Sequence, residues 1–236
     1  MMAEIVEDPE LRNRVHVFAD RFQAGDLLAD KLLEFVVLEE VLVLAIPAGG
    51  VQVALRIAER LRVPLDVLVT RKLHIPWNRE AGFGAVTWDG FTLLNEPLTA
   101  SLGLTDEEIR EVVAYERAEI DSRLRLFRGD RPFPELKGRT IVVVDDGLAS
   151  GFSMLATLRS LRSDGGKRII VAIPTAPISA IELIKLDADI IVCLNIRSGP
   201  VFAVADAYRY WYDLSDVEVI ELLKLTDQRA HEVKQD

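Results

Sequence analysis

The chain is short of several things, and each shortage excludes something. It has a single cysteine, Cys193, so no intramolecular disulfide can form. The apolar neighbours of Cys193 in Ile190-Ile191-Val192-Cys193-Leu194 mark a buried, inert thiol. No apolar run approaches membrane-spanning length. No internal repeat and no low-complexity segment is present. Positive charge is scarce: 28 Lys and Arg stand against 38 Asp and Glu, a formal net charge of −10. That balance argues against nucleic acid or an anionic membrane as partner, while leaving room for a local basic pocket. Met1 to Glu10 is acidic and lacks an apolar core, so no signal peptide and a cytoplasmic location are expected. The remainder is ordinary for a globular chain: 236 residues, 50% hydrophobic and 28% charged, enough for one large domain or two small ones.

What is present centres on Thr140 to Met154. Ile141-Val142-Val143-Val144 is a run of β-formers bounded by polar residues, the pattern of a strand buried on both faces. Asp145 and Asp146 follow at the expected strand end. A small-residue loop, Ala149-Ser150-Gly151, then leads into a helix in which Met154, Leu155, Leu158 and Leu161 share one face. A helix N-terminus has unpaired N–H groups and a positive dipole end, and so binds phosphate. Gly151 permits close backbone approach, and the Ser150 and Ser153 hydroxyls can donate to phosphate oxygens. Ionised carboxylates only accept hydrogen bonds, so Asp145 and Asp146 suit vicinal ribose hydroxyls or a hydrated Mg²⁺. Together these features point to a sugar phosphate.

The stretch Val142 to Ser153 resembles the 5-phosphoribosyl-1-pyrophosphate (PRPP) signature of the type I phosphoribosyltransferases. That signature is an apolar run, two acids, two variable residues, a small residue, Thr or Ser, Gly, any residue, and Thr or Ser. The resemblance implies that Asp145 and Asp146 hold the ribose hydroxyls and that Ala149, Ser150, Gly151, Phe152 and Ser153 hold the 5′-phosphate. Three other readings compete. A phospho-receiver domain needs a further Asp at a later strand end, where this chain has Pro174-Thr175 and Asn195-Ile196. A Walker-type ATPase needs Gly-x-x-x-x-Gly-Lys-Ser/Thr, which is absent. A purely structural acidic turn would not need both halves of a ligand site.

Elsewhere the sequence reads as a helix over Phe18–Leu33, followed by strands alternating with helices. Strands are expected at Leu42–Ile46, Leu65–Val69, Ile169–Ile173 and Ile190–Leu194. Helices are expected at Val51–Leu61, from the capping box Thr105-x-x-Glu108 to about Arg128, from Ser179 (with Glu182) to Lys185, and from Ser215 with Glu218. Trp77 to Leu94 has hairpin character. This alternation implies a Rossmann-like, doubly wound and mainly parallel sheet with helices on both faces, which binds ligands beyond its strand C-termini. One domain over residues 1–236 is expected, with a small hood from the N-terminal helix and about 196–225.

Pro47-Ala48-Gly49-Gly50 falls where the family's pyrophosphate loop belongs, and Gly49 and Gly50 can expose N–H groups to an anion. The members it most resembles carry Arg where this chain has Ala48. Arg71 and Lys72, read as ending the second inner strand, are assigned to pyrophosphate as catalytic groups beside Asp145 and Asp146. His74 to Val86 looks like the family's mobile lid, with His74, Arg79 and Glu80 as candidate contacts. Trp77 either stacks on a base or pins this loop. The arginine-rich segment Glu116 to Arg139 reads as a salt-bridge-laced helix face with no catalytic role. Tyr208, Tyr210, Trp211 and Tyr212 either stack on an acceptor base or pack in a core or dimer contact. The resemblance also implies Mg²⁺ carried mainly by PRPP and water, with Asp145 and Asp146 as its nearest protein groups, and a homodimer. Where 6-oxopurine transferases of the family have an Asp base, this chain has Ala149, so the expected acceptor is of adenine or pyrimidine type. The expected activity is transfer of the phosphoribosyl group of PRPP to a nitrogen nucleophile, a nucleobase, with release of pyrophosphate. A non-catalytic PRPP sensor on the same fold is the alternative.

Overall fold

The computed structural model describes residues 2–232. Its central sheet is built from β1 (Glu4–Val6), β2 (Val41–Ala45), β3 (Leu65–Val67), β7 (Thr140–Val144), β8 (Arg168–Pro177) and β9 (Ile190–Arg197). These six strands are all parallel and lie in the order β1-β9-β8-β7-β2-β3. The sequence pattern missed β1. It is a three-residue edge strand that stays largely exposed, so it carries no apolar signal. β8 and β9 run past their expected ends, because Thr175–Pro177 stays in register with Asn195–Arg197.

The inner strands are buried throughout, and the register explains why they read as unbroken apolar runs. Val41, Val43, Ala45, Val142 and Val144 pack on one side against α1 (Arg21–Leu32) and α2 (Gly49–Leu61). Leu42, Leu44, Ile141 and Val143 pack on the other against α5 (Phe152–Ser163) and α6 (Ile178–Ile184). Each strand therefore alternates between two cores. α6 corrects one expectation: with β8 extended to Pro177, the helix begins at Ile178, before Ser179, and Pro177 gives it no side-chain cap. The other two boxes form as expected. Thr105 and Glu108 cap α4 (Asp106–Arg128), and Ser215 and Glu218 exchange the same bonds at the start of α7 (Asp216–Glu232).

Between β3 and α4 the chain builds a separate antiparallel sheet of β4 (Arg71–Ile75), β5 (Asn78–Val86) and β6 (Thr92–Leu94). The short helix α3 (Glu96–Leu102) follows, capped by Asn95. The expected lid is thus a paired hairpin, with Asn78–Val86 in strand. Arg71 and Lys72 open β4 instead of ending a parallel strand, because β3 stops at Val67. A register shift at His74 breaks the alternation of this strand.

Candidate functional site

The site forms where β2 and β7, neighbours at the centre of the sheet, both end. Val144 hands over to Asp145 and Asp146, and the Asp146 N–H donates to Asp145 Oδ1 at 2.8 Å. Asp146 Oδ2 accepts from Arg21 Nε at 2.8 Å, an ion pair whose side chains are 15% and 4% exposed. Arg21 also donates from Nη1 to the Tyr212 carbonyl at 2.8 Å and lies 3.8 Å from the Trp211 ring centroid. The buried Tyr208 hydroxyl donates to the Asp146 carbonyl at 2.5 Å. Burial pushes the Asp145 carboxyl well above the usual carboxylate range, and the neighbouring Asp146 charge pushes the same way. Burial raises Asp146 too, but the Arg21 guanidinium opposes it.

Arg21 is the principal residue that the sequence reading missed. Its signal was weak, a lone arginine at the first position of an amphipathic helix. Only the fold brings it to an acid 125 residues away.

Gly49 and Gly50 open α2 against this acid pair. A Cβ on Gly49 would collide with the Asp146 carboxylate, and one on Gly50 would lie 2.8 Å from the Val144 carbonyl and 3.0 Å from Asp145 Cα. Both positions need glycine because the two strand ends approach so closely. The Pro47–Ala48 peptide is cis. Ala48 caps α2 without a side-chain hydrogen bond.

Across the turn, Gly151 takes φ +78° as the cap of α5 and packs against Ala180. Ala149 and Ser150 are exposed, and the Phe152 N–H makes a long 3.4 Å bond to Ser150 Oγ. Ala149, Ser150, Phe152 and Ser153 line a cavity of about 330 Å³, whose opposite wall is Lys72, Gly82, Gly84 and Asn95 of the small sheet and its exit. Lys72 therefore faces the Ala149–Ser153 loop. Arg71 goes elsewhere. Its Nε donates at 2.6 Å to Glu116, a buried carboxylate on α4. Glu116 Oε1 lies 3.9 Å from His74 Nε2, and His74, Arg79 and Glu116 line a second cavity of about 230 Å³ on that side. Trp77 is exposed in the β4–β5 turn, and the Glu80 side chain lies outside the described residues.

The aromatic segment also divides. Tyr208 is core, Trp211 has Arg21 over its face, Tyr212 accepts from Gln52 at its hydroxyl, and Tyr210 is exposed. Cys193 is buried and its thiol is pushed up by that burial, as an inert role requires.

The acidic strand end, the glycine turn and the α5 entry all fall within residues 20–208, the stretch that matches the sequence profile named "Phosphoribosyl transferase domain". The chain belongs to that family. "Putative phosphoribosyl transferase MT0597" and "Putative phosphoribosyl transferase Rv0571c", from two strains of Mycobacterium tuberculosis, are each 36% identical over 215 residues, 91% of this chain. The match covers 47% of those relatives, so the chain spans about half their length. The crystal structure of TT1426 from Thermus thermophilus is 36% identical with a TM-score of 0.72, over 87% of this chain and 97% of that one. Family membership agrees with the parallel sheet flanked by helices and the small antiparallel sheet.

For Mg²⁺, the described residues hold no group of three or more His, Cys, Asp or Glu able to bind a metal. The donors present are the two adjacent oxygen ligands Asp145 and Asp146. Such a pair fits a hard cation carried chiefly by phosphate oxygens and water.

Proposed function

We propose that this domain transfers the 5-phosphoribosyl group of PRPP to a nitrogen nucleophile, a nucleobase of adenine or pyrimidine type, and releases pyrophosphate. One observation carries the reading: the acid pair, the Gly49-Gly50 turn and the Ala149–Ser153 loop meet at adjacent strand ends, with Lys72 facing that loop across one cavity. In this reading Ser150, Ser153 and the first N–H groups of α5 take the 5′-phosphate. Asp145 and Asp146 accept from the ribose hydroxyls. Gly49, Gly50 and Lys72 face the leaving pyrophosphate, and Arg71, tied to Glu116, braces the strand that carries Lys72.

Displacement at C1′ builds positive charge on the ribose ring and negative charge on pyrophosphate. Fixed carboxylates on one side and N–H donors with an ammonium on the other stabilise both without a covalent enzyme intermediate. Asp145 and Asp146 would be the protein groups to hold a Mg²⁺ that came with PRPP, and such an ion would supply further charge neutralisation. Ala149 offers no carboxylate to a purine N7, which supports an acceptor other than a 6-oxopurine. The hood of this reading is the N-terminal helix α1 with about 196–225, a homodimer is its expected assembly, and the cytoplasm its expected location. No helix among the described residues is long and apolar enough to cross a membrane.

The deciding experiment is pyrophosphate release from PRPP and Mg²⁺ with a panel of nucleobases. Release with one base supports the transferase and names its acceptor. PRPP binding without release favours the sensor reading, to which Ala48 in place of arginine lends support. Absence of PRPP binding overturns both.

A further inference from the structure

Arg21 has work beyond its pair with Asp146, an inference that rests on the phosphoribosyltransferase reading above. The guanidinium carries five N–H donors. One on Nε goes to Asp146 and one on Nη1 to the Tyr212 carbonyl; among the described residues no hydrogen-bond partner takes Nη2. The side chain is nevertheless 4% exposed, its face covered by Trp211 at 3.8 Å. Two anchors and an aromatic face fix the plane of the group, so little rotamer entropy is left to lose on binding a ligand.

Its position supplies the second observation. A methyl group on Gly49 would lie 2.9 Å from Arg21 Nε, so the guanidinium borders the turn that opens α2. That 13-residue helix begins with two glycines and no side-chain cap. A buried cation with unspent donors thus sits beside an uncapped helix N-terminus. Both features favour an anion, and a planar fork suits the oxygens of a phosphate.

We propose that Arg21 is a pyrophosphate-binding residue, supplying from the first helix the cation that the Pro47–Gly50 loop lacks at Ala48. Without it, a multiply charged leaving group would meet an Asp146 carboxylate that has lost its paired cation. With it, Nε neutralises the acid while Nη2 addresses the phosphates.

Calorimetry with Mg²⁺ and either inorganic pyrophosphate or ribose 5-phosphate tests this on the wild type, Arg21→Met and Arg21→Lys. Arg21→Met is expected to weaken pyrophosphate about tenfold or more, the scale of one or two charged hydrogen bonds. Arg21→Lys keeps a charge beside Asp146 but loses the fork. It is expected to bind ribose 5-phosphate within about threefold of wild type while still losing pyrophosphate affinity. Equal loss of both ligands in Arg21→Lys would make Arg21 a support for the acid pair and overturn the proposal, as would unchanged pyrophosphate binding in both variants. If Arg21→Met does not fold, Arg21→Lys alone decides. A wild type that binds neither PRPP nor pyrophosphate overturns the underlying site reading instead, and this one with it.

Discussion

Asp145 stands where a carboxylate is costly. Burial and the adjacent Asp146 charge both raise its pKa in the fold. The sign follows by linkage. An acid whose folded pKa lies above its unfolded value weakens the fold once pH exceeds the unfolded value, and that penalty is relieved as pH falls back through this window. Asp145→Asn in the ligand-free, metal-free protein should therefore melt higher than wild type at neutral pH, with the gap closing as the pH drops into the acid range. Melting curves across pH check this, and an Asn variant less stable at pH 7 would contradict it. The same change made together with Asp146→Asn should leave a folded protein that no longer binds PRPP by calorimetry. With those outcomes, stability and ligand binding would pull opposite ways at one side chain, as is common where charge is held for function.

At the scale of elements, the Ala149–Ser153 loop depends on a helix entry that only glycine makes cheaply. Gly151→Ala would put a Cβ 3.1 Å from that of Ala180 at φ +78°. A cost of about 1–2 kcal/mol is expected in urea unfolding, with weaker ribose 5-phosphate binding. The β4 strand shows what element-level reading could not supply at Arg71, its partner on α4. The two basic residues look like one cationic patch in sequence, but consecutive strand residues face opposite sides, and the small sheet has a different wall on each. Lys72 meets the cavity beside the loop and Arg71 meets α4. Glu116→Ala should destabilise the protein by about 1–3 kcal/mol by stranding Arg71 in a partly buried place.

The whole molecule is two cores sharing one sheet, so neither layer has an independent reason to persist. Leu28 lies in one core and Leu158 in the other, both fully buried. Leu28→Ala and Leu158→Ala should each cost about 2–5 kcal/mol. Each should shift far-UV circular dichroism and tryptophan fluorescence together, since β-strand residues alternate between the layers. Separate transitions for the two probes would show that the layers melt apart.

The inner strands, the long capped helix and the acid-loop-helix unit at Val142–Ser153 were legible in the order of residues. These are local features: an apolar run, a capping box and a strand-to-helix turn each need only their own neighbours to be recognised. Edge strand β1 was illegible because three largely exposed residues bury too little to leave a pattern. The division of Arg71 from Lys72, the burial of Glu116, the covering of Trp211 by a guanidinium and the meeting of Arg21 with Asp146 arose only on folding. Each depends on which side of a strand faces which helix, or on distant chain segments closing over one strand end. No local spacing encodes that; it follows from the sheet order that sets β2 beside β7 and from α1 packing on α2, β8 and β9.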